Sequence, residues 1–129
     1  MTKQKNIYIK DLHFEHERWL REIDFWKDEL KIFADRLGEI VSRWTDHSVL
    51  AKAEHFQNQF IRHNEVVDKL KHDIKAKENT LVDYAIAHPV AINHVHFSDH
   101  VSLRDRMETQ EKIYNDLKGE FFRYMTEVM

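Results

Sequence analysis

Large apolar residues recur through the first third of the chain at alternating steps of four and three. Leu12, Trp19, Ile23, Trp26, Leu30, Phe33, Leu37, Ile40 and Trp44 form this series, and His16 fills the one step they miss. A pattern of that period puts one stripe of a long helix in contact with partner helices along its whole length. It predicts a first helix from about residue 9 to 44, capped by Asn6 or Asp11. Gly38 falls inside the span, but the stripe keeps phase across it, so the helix is expected to continue.

A second series of the same period runs through Val49, Ala53, Phe56, Phe60, His63, Val67, Leu70, Ile74, Lys77, Leu81 and Tyr84. It predicts a helix over about 48–87, ended by Pro89, because the residue before proline avoids the helical region and proline itself has no N–H. The segment Pro89–Ser98 reads as the one long non-helical stretch, with Val90-Ala91-Ile92-Asn93 covering the end of the core. Ser98 or Asp99 then caps a third helix over about 99–128, whose stripe is His100, Leu103, Met107, Gln110, Tyr114, Leu117, Phe121, Tyr124 and Val128.

Short links between long helices give antiparallel neighbours. The fold expected is therefore all-α: one domain over residues 1–129, an elongated antiparallel three-helix bundle in up-down-up order with coiled-coil-like seams. At about 1.5 Å per residue its first two helices each reach about 55 Å. A four-helix bundle is the alternative, if one helix breaks or a second chain supplies the fourth.

Composition narrows the picture further. Two glycines and one proline in 129 residues leave little material for the turns and bulges of a many-stranded β fold. A formal charge of -3 does not supply the basic face that nucleic acid requires. The chain has no cysteine, which excludes disulfide and thiolate chemistry and fits the cytosol. No segment approaches the roughly 20 apolar residues of a membrane span, and the first ten residues lack a signal-peptide core. A cytoplasmic protein without nucleic-acid or membrane partners is expected.

Five stripe positions carry polar or titratable side chains: His16, His63, Lys77, His100 and Gln110. Folding the chain back at residues 46–47 sets position 16 opposite 77, and a second turn between 88 and 99 sets 77 opposite 110. His16, Lys77 and Gln110 are thus expected to share one polar core layer that fixes register, with an anion or small-ligand pocket as the functional alternative. The same folding sets His63 level with Leu30 and Tyr124, which implies a core hydrogen bond between His63 and Tyr124.

The chain is histidine-rich, with ten in 129 residues. His88, His94, His96 and His100 cluster about the second turn, and the topology brings His13 and His16 to the same end. In an extended segment His94 and His96 point to one side, and His100 follows beside Asp99. Converging imidazoles and a carboxylate suit a divalent transition metal. His94, His96, His100 and His88 are accordingly the candidate metal ligands, and the cofactor expected is either such a metal or none. The segment His94–His100 has one residue too many for the HxHxDH box of metallo-β-lactamases, and no histidine follows a glutamate at the ExxH spacing of ferritin-like di-iron bundles. His13 with Glu17, His96 with His100 and His100 with Asp105 are similar to elements of hemerythrin-like bundles, but the last two pairs share a residue and straddle a turn, whereas that family spreads them over separate helices.

No nucleophile, glycine-rich phosphate loop or facing pair of acids stands out, so an enzyme is not the reading favoured. Phe14, Phe25 and Ile32 lie on the outward side of the first helix, and Phe122 is a comparable outlier on the third. Such a face points to contact with another protein or with a second copy of the chain. The function expected is noncatalytic, through protein–protein contacts and self-association as a dimer, with a metal-binding bundle as the alternative.

Overall fold

The computed structural model describes residues 9–87 and 94–129, of 94–97 the backbone alone. Three helices account for nearly all of them: α1, Ile9–Arg43; α2, His47–Ala87; and α3, His94–Val128. They pack antiparallel in sequence order, so α1 and α3 run in the same direction on either side of α2. Among the described residues no helix is long and apolar enough to cross a membrane.

The alternating four-and-three series is the core. Ile23, Val67, Ile74 and Phe121 are wholly buried, and Trp19, Trp26, Leu30, Phe33, Leu37 and Ile40 line the same seam. At roughly 1.5–3 kcal/mol per fully buried large side chain, burial of this stripe dominates the stability of each helix. The first turn is closed by Asp46. Its Oδ1 accepts from the backbone N–H groups of Ser48 at 2.9 Å and Val49 at 3.2 Å, which satisfies two of the unpaired donors at the start of α2. The Ser48 hydroxyl also donates to it, and these bonds hold the Asp46 carboxyl below its ordinary range. Asp11 sits inside the first turn of α1, where an acidic side chain favours the helix dipole, and does not cap it; Asn6 lies outside the described residues.

Two boundaries differ from the sequence reading. Trp44 is just past α1 and partly exposed, and its indole N–H donates to the Val128 carbonyl at 3.0 Å, clipping the ends of α1 and α3 together. The larger difference is at the second turn. α3 begins at His94, five residues before the expected start, so Ser98 and Asp99 are helical and cap nothing. The proposed cover Val90-Ala91-Ile92-Asn93 lies outside the described residues.

That earlier start sets the α2–α3 register. The α1–α2 register is as expected: Lys27 bonds Asp68, Lys71 bonds Asp24 at 2.8 Å, and His16 bonds Glu78 at 2.7 Å, one position from Lys77. On the other side, Gln110 is carried away from Lys77 and placed against His63 at 2.7 Å. The Tyr124 hydroxyl donates to the Val49 carbonyl at 2.8 Å, so Gln110, not Tyr124, is the partner of His63. α1 and α3 stay in step over their full length: His16 meets His100, Glu29 meets Tyr114, and Trp44 meets Val128.

Candidate functional site

At the end of the bundle where α1 begins, stripe positions of α1 and α3 are histidines, and acidic neighbours of the stripe close over them. His16 and His100 are each 1% exposed, and His100 Nδ1 lies 3.2 Å from His16 Nε2. His16 Nδ1 lies 2.7 Å from Glu78 Oε1 on α2. His100 Nε2 meets Glu15 Oε1, and that carboxylate also accepts from Arg104 at 2.8 Å. The other oxygen of Glu78 is taken by His13, one turn before His16. Trp19 closes the site from the core side, its ring stacked on His100 with centroids 5.0 Å apart. The result is a continuous chain through three helices: Glu78, His16, His100, Glu15, Arg104.

Proton counting decides what this chain holds. The contacts Glu78–His16, His16–His100 and His100–Glu15 each need one N–H. Two neutral imidazoles supply two. All three bonds are therefore made only when the pair carries one extra proton, shared across the 3.2 Å contact. A second extra proton would set N–H against N–H. Burial lowers the proton affinity of His100, and the charges of His16 and Arg104 act in the same sense, while the bond to Glu15 opposes them. Burial also pulls Glu15 upward, but its bonds to Arg104 and His100 outweigh this and hold it below the usual carboxylate range. The arrangement locks α1 to α3 and α2 at a single register.

A second polar layer lies nearer the middle. His63 and Gln110 are both buried and bonded to each other. With the Gln110 amide N–H donating to Nδ1, the proton of His63 is on Nε2, and that nitrogen has no hydrogen-bond partner among the described residues. Its ring lies edge-on to Trp26 and against Tyr114. Burial pushes the His63 pKa down to about 4, so the imidazole is neutral at physiological pH. On the same level the Tyr114 hydroxyl donates to Glu29 at 2.6 Å, and Lys118 donates to the other oxygen of that carboxylate at 2.8 Å. Burial, with the Glu29 bond, raises Tyr114 and keeps its phenol protonated.

The residues singled out from the sequence are thus distributed as follows. His16 and His100 are in direct contact. Lys77 is at the same end, where its ammonium donates to Asp99 Oδ2 at 2.6 Å, beside His100. Gln110 belongs to the His63 layer. Of the candidate metal ligands, His88 lies outside the described residues, as do the side chains of His94 and His96, whose backbone is helical rather than extended. The remaining one, His100, has both ring nitrogens engaged, by His16 and Glu15. Among the described residues no group of three or more His, Asp and Glu side chains is arranged to hold a metal ion. Glu15 and Glu78 were not singled out from the sequence; both lie beside a polar stripe position, Glu15 next to His16 and Glu78 next to Lys77.

The outward apolar face is present. Phe14, Phe25 and Ile32 are 60%, 55% and 57% exposed. Lys118 Nζ sits 5.9 Å from the Phe25 ring and 5.8 Å from that of Phe122, which joins α1 and α3 into one partly aromatic flank. Comparison with protein-family models, with curated proteins and with solved structures finds no match.

Proposed function

We propose that the chain is a noncatalytic helical-bundle module that acts through protein–protein contacts and associates with a second copy of itself. The observation that carries this reading is the exposure of large apolar side chains over a core that is already closed. Phe14, Phe25 and Ile32 on α1, Ile61 and Val82 on α2, and Ile113 and Phe122 on α3 are all left to solvent. Single exposed apolar residues are ordinary, but several on the flanks of one slender bundle favour a covering partner. The buried histidine pair fits the same role, because it holds the three helices in one register and so keeps their outer faces in fixed relation. Light scattering on the purified chain across a wide concentration range tests the reading. A dimer is expected, and a monomer at every concentration contradicts self-association.

A further inference from the structure

We propose that the second copy docks on the open groove between α1 and α2, antiparallel to the first about a two-fold axis, so that Lys31 of each copy meets Glu54 of the other. This rests on the self-association proposed above and assigns it to this groove, not to the flank of Phe25 and Phe122. The groove lies on the side of α1 and α2 away from α3. Its floor is shallow where it needs to be: Ala34 and Gly38 give α1 a low surface there, and a Cβ added at Gly38 would meet nothing within 4 Å. Val41 and Ile61, 49% and 52% exposed, form its apolar walls.

Charge selects the occupant and its direction. Among the residues lining the groove only two are charged, Lys31 and Glu54. Both are exposed, and neither has an ion pair or hydrogen bond among the described residues. The register set by Lys27–Asp68 and Asp24–Lys71 puts Lys31 level with Asn64 and Glu54 level with Val41. The two charges therefore stand at opposite ends, about 15 Å apart along the axis at 1.5 Å per residue, and cannot meet within one chain. An antiparallel copy turns the groove end for end and brings each lysine to the level of the partner's glutamate. A parallel copy would set the two lysines level with each other. An isologous contact of this kind closes at two copies and makes each charge pair twice.

Sedimentation velocity at low ionic strength, with Lys31→Glu, Glu54→Lys, the double reversal and Phe25→Asp, tests the assignment. All three positions are exposed, and thermal unfolding confirms that each variant is folded. Either single reversal turns two attractive contacts into repulsive ones and is expected to raise the dissociation constant about tenfold. The double reversal restores both pairs and is expected to return the affinity to near that of the wild type, while Phe25→Asp leaves it unchanged. A dimer that ignores the reversals, or a double reversal that does not recover, overturns the groove. A dimer dissociated by Phe25→Asp assigns the contact to the aromatic flank instead, which overturns the groove and leaves self-association standing. A wild-type chain that is monomeric throughout overturns both.

Discussion

The two ends of the bundle are held by opposite chemistry. Where α1 ends, Phe33, Phe56, Phe60, Phe121 and Tyr124 pack ring against ring, with Phe121 wholly buried at the centre and 5.1 Å from Phe60. Where α1 begins, the equivalent positions are filled by His16 and His100, bonded to Glu78 and Glu15. Aromatic burial is large and has little directional demand. Sliding α3 by one heptad would bring Tyr114 to the level of Phe121, and ring would replace ring. The same slide at the other end would carry His100 to the level of Met107 and leave His16 and Glu15 without the imidazole they bond. The aromatic end therefore supplies most of the cohesion, and the histidine end supplies discrimination among registers.

The largest break in this comparison is at Phe121. Phe121→Ala opens a cavity among four rings and is expected to cost about 3–5 kcal/mol of unfolding free energy in a denaturant titration. A loss below about 1 kcal/mol would mean that the aromatic end does not carry the cohesion assigned to it.

Next in size is the acid response of the middle layer. The folded-state pKa of His63 is about 4, against 6.5 for the ordinary imidazole. Below pH 6.5 the unfolded chain takes up a proton that the folded chain refuses, so stability present above that pH is lost as pH falls toward 4. The expected loss is about 3 kcal/mol. The double variant His63→Leu, Gln110→Leu removes the imidazole with its partner and should flatten this part of the curve, read as unfolding free energy at pH 7 and pH 4. An acid limb that survives in the double variant refutes the assignment to His63.

A double-mutant cycle at the histidine end is smaller and sharper. His100→Leu leaves His16 and Glu15 short of a partner and is expected to cost about 2 kcal/mol. Adding His16→Leu should cost less than the sum of the two single changes, with a coupling of about 1 kcal/mol or more. Additive effects would show that the two rings do not act as a unit.

Much of this architecture is legible in the sequence, and particular residues show why. The four-and-three stripe identifies the buried positions from Leu12 to Ile40 one by one, because a seam must keep phase with its neighbours to stay dry. The first turn is equally readable: it is short, and Asp46 caps α2 from within it. The gathering of His13, His16 and His100 at one end follows from topology alone. The partner of Gln110 does not. It depends on where α3 starts, and the residues after Pro89 carry no strong helix-start signal, so Pro89–Ser98 reads as loop. Helix from His94 onward moves α3 along α2 and exchanges Lys77 for His63 as the neighbour of Gln110. Glu15 and Glu78 lie just off the stripe, where charged residues are usually solvated. Their place beside the polar stripe positions His16 and Lys77 is the one local mark they carry.

The central claim is that His16 and His100 face each other in the buried end of the bundle, bonded to one another and each to a carboxylate. Two-bond proton–nitrogen correlation of the histidine side chains at neutral pH tests it most directly. The account predicts that the two nitrogens facing each other, Nε2 of His16 and Nδ1 of His100, share a single proton. Two imidazoles titrating independently, each with one bare nitrogen and solvent-like shifts, would contradict it.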